Sequence, residues 1–160
     1  MKSKVIIISV SWLLVLLTMV IIFNFSSENA IKSTETSGGV VVQVLDVVMD
    51  KEDITPPVVQ KYQFPVRKVA HFTIYMLLGF CMISAFDKSF KLKIWLNGIL
   101  SLVASSLYAV SDEIHQNFSA GRGPQVTDVL IDAAGALAGI LLYFAFLFVY
   151  KRLKNKIRKK

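Results

Sequence analysis

The sequence predicts an all-α, polytopic membrane protein with four transmembrane helices and both termini in the cytoplasm. Apolar residues make up 54% of the 160 residues, against about 45–50% for soluble domains even when glycine is counted. Four apolar runs recur along the chain, each close to the ~17–25 residues that span hydrocarbon as a helix. Lysine and arginine crowd the segments that would lie on one side of such a membrane, and that asymmetry orients the spans.

Residues 1–4, with Lys2 and Lys4, form a cytoplasmic N-terminus before a first span at 5–23. This run is longer than the ~7–15-residue core of a secretory signal, and FNFSSENA offers no convincing cleavage pair, so an uncleaved anchor helix is expected. Residues 24–68 make an extracellular loop. Its first part, 26–39, is rich in Ser, Thr, Glu and Gly and reads as exposed. In VVVQVLDVVMD, Val41, Val44, Leu45 and Val48 recur at helical spacing while Gln43, Asp46 and Asp50 take another face. A short amphipathic helix on the outer leaflet fits, with a buried strand of valines as the alternative. Pro56, Pro57 and Pro65 then break regular structure.

The second span, 69–86, and the third, 94–110, are joined by the basic cytoplasmic loop 87–93, DKSFKLK, and are therefore antiparallel neighbours. Residues 111–128 form an extracellular polar loop. A fourth span at 129–150 leads to a basic cytoplasmic tail, 151–160, KRLKNKIRKK, suited to anionic lipid headgroups. This arrangement puts twelve of the 18 Lys and Arg residues, but only Asp87 of the 11 acids, inside.

The net charge of +7 accompanies no nucleic-acid recognition motif and lies beside apolar spans, so nucleic acid is not an expected partner. The single cysteine, Cys81, has no partner for a disulfide within the chain and reads as a small apolar filler. No internal repeat is evident.

The chemistry-bearing residues fall on stripes. Lys68, His71 and Tyr75 are three and four apart on the second span, with Arg67 one turn before His71. Asn97, Ser101, Ser105, Tyr108, Asp112 and His115 follow one seam on the third, and Asp128, Asp132, Gly135 and Gly139 one on the fourth. A charge at the bilayer centre costs roughly 2.5–3.5 kcal/mol on insertion scales, so such groups face protein, pair, or line a wet cavity. The small residues should pack in mid-membrane, and the ionised ends should converge above them as a cup open to the exterior. Candidate binding residues are Arg67, Lys68, His71, Tyr75, Asp112, Glu113, Gln116, Arg122, Asp128 and Asp132. Structural roles compete with each. Arg67 and Lys68 suit interfacial anchoring; Asp112 and Asp128 suit helix capping or pairing with Arg122; His71 and His115 suit bonds to backbone carbonyls. Glu113, one residue off the seam, suits solvent. Asp132, a turn inside an apolar helix, is hardest to explain structurally.

At these residues the chain resembles a known family. RKVAHFTIYMLLGF, the turn SDEIHQ, and GRGPQVTDVLIDAAGALAGI are similar to the VanZ-like family of small bacterial integral membrane proteins. The motifs are an Arg/Lys-x-x-His-Phe opening of the second span, Asp-Glu-x-x-Gln after the third, and Gly-Arg followed by Asp and Gly in the fourth. FNFSSENA resembles the family's Phe-Ser-Ser entry to its external loop, and the likeness covers residues 12–142 as a single domain. Where the family often has Pro before Gly-Arg, this chain has Ser119-Ala120-Gly121-Arg122. The resemblance implies a multi-pass protein of the bacterial plasma membrane and cell envelope. It also implies a contribution to tolerance of glycopeptide antibiotics of the teicoplanin type.

Two functional readings lead. In the first, the cup engages an anionic headgroup or a lipid-linked wall-precursor group, or the glycopeptide itself, with Arg67, Lys68 and Arg122 supplying the cations. In the second, an intramembrane enzyme modifies such a headgroup, with His71 or His115 as acid or base and Asp112, Glu113 or Asp132 as partner. No nucleophile elbow or phosphate loop supports catalysis, and two histidines on separate spans are weak grounds for a metal. No cofactor is implied. A transporter is a lesser reading, and a homodimer through Gly135 and Gly139 would relax its main difficulty, the small number of spans. A wholly structural role completes the set.

Overall fold

The computed structural model describes residues 2–27, 30–116, 118 and 125–158, and every regular element among them is helical. In chain order they are α1 (Lys2–Ser26), α2 (Ala30–Val48), a 3-10 turn (Lys51–Asp53), α3 (Pro56–Ser89), α4 (Ile94–Gln116) and α5 (Val126–Ile157). α1, α3, α4 and α5 are each long and apolar enough to cross a membrane. They contain the four expected spans and overrun them at both ends, except that α4 starts at Ile94 as expected.

α3 and α5 form the centre. Lys68 meets Asp128, His71 meets Asp132, and Phe80 meets Tyr143 edge-on, so the two helices run parallel in steady register. Their backbones touch. A Cβ on Gly139 would lie 2.8 Å from the Phe80 nitrogen, one on Gly79 would lie 2.7 Å from Ala136 Cα, and one on Gly135 would strike the Phe72 carbonyl. In lipid, where the surrounding tails are as apolar as leucine, such close approach is what gives two helices an affinity for each other. Gly135 and Gly139 therefore receive α3 within the chain.

α1 crosses antiparallel to α3, with Trp12 tilted on Phe86 and its indole donating to Ser89 at 3.0 Å. It runs parallel to α4, whose Tyr108 hydroxyl donates to the Met19 carbonyl at 2.7 Å. One end of the bundle thus gathers the start of α1 and the α3–α4 turn. The other gathers the ends of α1 and α4 with the start of α5. Side chains such as Leu16, Leu107 and Phe146 are exposed on the outside, as a lipid-facing surface requires.

Three expectations are corrected. The stretch 26–39 is not a loop throughout, because α2 begins at Ala30. Ser33, Gly38, Val41 and Leu45 form its inward side, and Gln63 of α3 donates to the Thr34 carbonyl at 3.3 Å. Packing on α3 overrides the loop-like composition. Val44 and Val48 face outward, at 54% and 70% exposure, so α2 leans on protein with a narrower face than the valine pattern suggests. Nor do the prolines break the chain. Pro56 and Pro57 occupy the first turn of α3, where a missing N–H would be orphaned anyway. Pro65 lies inside α3, and both it and Lys61 are exposed, so water can take up the carbonyl its absent N–H releases.

Candidate functional site

Two rungs join α3 to α5 at the end of the bundle where α5 begins. A separation of three along α3 and four along α5 gives each helix two polar groups on one face, and the parallel register lays them side by side. The Lys68 ammonium donates to Asp128 and, at 3.2 Å, to the Gln125 side-chain carbonyl. One turn deeper, His71 Nδ1 lies 3.2 Å from Asp132 Oδ1. Asp128 also occupies the first turn of α5, where the helix dipole favours a negative charge. Lys68, Asp128 and Asp132 are nearly sequestered, so both rungs are buried pairings whose partners depend on each other.

α4 closes the third side. Asp112, Glu113 and Gln116 are buried. Gln116 donates to Asp112 Oδ2 at 3.3 Å, while Asp112 Oδ1 has no hydrogen-bond partner among the described residues. Asp112 lies within electrostatic range of His71 and Asp132, and Tyr75 within range of Asp112, Asp132 and Glu113. The Tyr75 hydroxyl is likewise buried and unpartnered among the described residues. Glu113 is not solvated as its offset from the seam suggests. It turns to the start of α5 and accepts the Gln125 N–H. Gln125 and the buried Ser26, close to Asp112, belong to the site although sequence reasoning missed them. Ser26 stands in the FNFSSENA motif and Gln125 immediately before α5, so position alone marked both.

The remaining candidates part company. His115 stacks on Phe23 at 4.5 Å, and its Nε2 is 3.1 Å from the Ser27 hydroxyl. It faces α1 and does not join His71. Arg67 is half-buried and forms no ion pair among the described residues. Arg122 lies outside the described residues.

Among the described residues the cluster is buried polar packing. Two grooves lie elsewhere. One of about 430 Å³ runs between α1, α3 and α4 past Trp12, Met19 and Tyr108. One of about 390 Å³ lies beside Lys4, Asp87, Lys88 and Lys91. Among the described residues no group of three or more His, Cys, Asp or Glu is arranged to hold a metal ion. Chemically, the site offers four carboxylates against one ammonium and one imidazole. It is rich in hydrogen-bond acceptors and has a histidine whose Nε2 is free of partners among the described residues.

The family model described as VanZ/LLP1 matches residues 11–148. No curated protein and no solved structure matches the chain.

Proposed function

The chain belongs to the VanZ/LLP1 family, and from that premise we propose that it is an envelope protein whose polar end binds the headgroup of a membrane amphiphile. The observation that carries this is the cluster itself: five buried polar or charged side chains of α4 and α5, with Asp112 Oδ1 and the Tyr75 hydroxyl left unpartnered among the described residues. Its excess of carboxylates refines the ligand. A simple anion would meet repulsion from Asp112, Glu113, Asp128 and Asp132, so the group must bring donors, ammonium or sugar hydroxyls, beside any phosphate. Arg67, which forms no ion pair among the described residues, serves the anionic part together with Arg122, a cation of the segment that leads into α5. A lipid-linked wall precursor has this mixed character. Tolerance to teicoplanin-type glycopeptides is the phenotype the reading predicts, and the reading puts both termini in the cytoplasm and the polar end at the outer leaflet.

Deletion of the gene should raise susceptibility to teicoplanin. The wild-type chain should restore tolerance, and Asp132→Asn or Arg122→Ala at equal membrane abundance should not. Full restoration by both variants would refute the reading.

A second reading rests on the 3.2 Å approach of His71 to Asp132. A carboxylate that fixes an imidazole through Nδ1 leaves Nε2 to take or give a proton, the arrangement an intramembrane enzyme acting on such a headgroup would use. Turnover of the headgroup by purified protein, lost in His71→Gln, separates this from binding alone.

A further inference from the structure

The inner face of α4 carries polar side chains well below the site. Asn97, Ser101 and Ser105 are fully buried, each four residues from the next. Ser101 returns its hydroxyl to the Asn97 carbonyl at 2.7 Å. Neither polar side-chain atom of Asn97, nor the Ser105 hydroxyl, has a hydrogen-bond partner among the described residues. The Tyr75 hydroxyl and Asp112 Oδ1 continue the set toward the His71–Asp132 pair.

Polar residues inside membrane bundles usually bond across to another helix. These atoms do not. Leaving each unsatisfied forfeits the hydrogen bonds that the group would make in water, and lipid tails offer none. Water is the small partner that both donates and accepts. The spacing suits it. Four residues of helix advance about 6 Å, and one water making bonds of about 2.8 Å on each side nearly covers that step. The seven residues from Ser105 to Asp112 advance about 10.5 Å, beyond one water. At that level Tyr75 reaches in from α3, its ring 6.4 Å from that of Tyr108. From Asn97 to Asp112 the set covers about 22 Å of a hydrocarbon layer roughly 30 Å thick. Asn97 is one turn inside α4, its N–H bonded to the carbonyl of Lys93, an exposed residue at the α3–α4 turn.

We propose that the inner face of α4 holds a file of bound waters that passes protons between the α3–α4 end of the bundle and the His71–Asp132 pair. Each oxygen in the file gives up one proton as it receives another. One proton enters from water at one end and one leaves at the other, and no redox partner takes part. His71 and Asp132 hold the proton in transit, with Asp112 of α4 and Lys68 and Asp128 of their own helices within electrostatic range. The inference does not depend on the headgroup reading, because it stands on Asn97 and Ser105, deep below the bound headgroup.

The full chain in phospholipid vesicles with a trapped pH-sensitive dye, driven by a potassium gradient and valinomycin, gives the direct test. Protein-dependent proton uptake above that of empty vesicles is expected. Asn97→Leu, which keeps the volume and removes both polar atoms, should return uptake to the empty-vesicle rate, while lipid-facing Leu107→Ala should retain it. Ser105→Ala leaves the packing intact and should also reduce uptake, so the test survives if Asn97→Leu fails to fold. Wild-type uptake no faster than empty vesicles, or undiminished uptake in a folded Asn97→Leu or Ser105→Ala variant, would overturn the proposal.

Discussion

At the level of single residues, the Lys68–Asp128 pair gives the sharpest energetic expectation. Removing one partner of a buried ion pair leaves the other charge uncompensated and costs about 3–5 kcal/mol, whereas replacing both by apolar groups is often neutral. Lys68→Met should therefore lower the thermal unfolding midpoint in detergent markedly, and Lys68→Met with Asp128→Leu should recover most of the loss. Simple additivity of the two substitutions would show that the pair is not coupled. The spacing of Lys68, His71, Asp128 and Asp132 already put them on two faces. It could not pair them, because the register between α3 and α5 is set by glycine contacts further along the helices. Glu113 was misread for a related reason. A neighbour of Asp112 points about 100° away on an isolated helix, and only the approach of α5 turns that direction into the interior.

Among the elements, the α3–α5 contact predicts opposite outcomes for the same chemical change. At Gly139 a methyl group meets the backbone of Met76 and Phe80, so Gly139→Ala should destabilise by about 1–3 kcal/mol, as overpacking does. At Gly39 in α2 nothing lies within 4 Å of an added Cβ, so Gly39→Ala should stabilise by about 0.5–1 kcal/mol through helix propensity. Melting the two variants beside the wild type checks both signs. The four long helices were legible because apolar runs of that length have few other solutions. Of α2 the valine-patterned second half was legible as a helix; its first half was not, because Ser33 and Gly38 on the inward side gain meaning only against α3. The prolines misled because proline at the start of a helix and proline that ends one look alike in sequence.

For the whole molecule, the charge distribution and the fold make one joint statement about sidedness. The start of α1 and the α3–α4 turn share an end, and basic residues dominate it. In a Cys81→Ser background, Phe118→Cys should react with an impermeant thiol reagent added to intact cells, and Phe90→Cys should react only after permeabilisation. The reverse pattern would invert the molecule and remove the outer-leaflet assignment.

α3, at 34 residues, measures about 51 Å along its axis, well over the roughly 30 Å of hydrocarbon it crosses. Its surplus turns, braced by α2, are expected to project beyond the lipid as a mast. A thicker or thinner bilayer then merely wets or submerges a turn of continuous helix, so hydrophobic mismatch is absorbed at the surface and the glycine-lined contact below keeps its shape from one lipid composition to another.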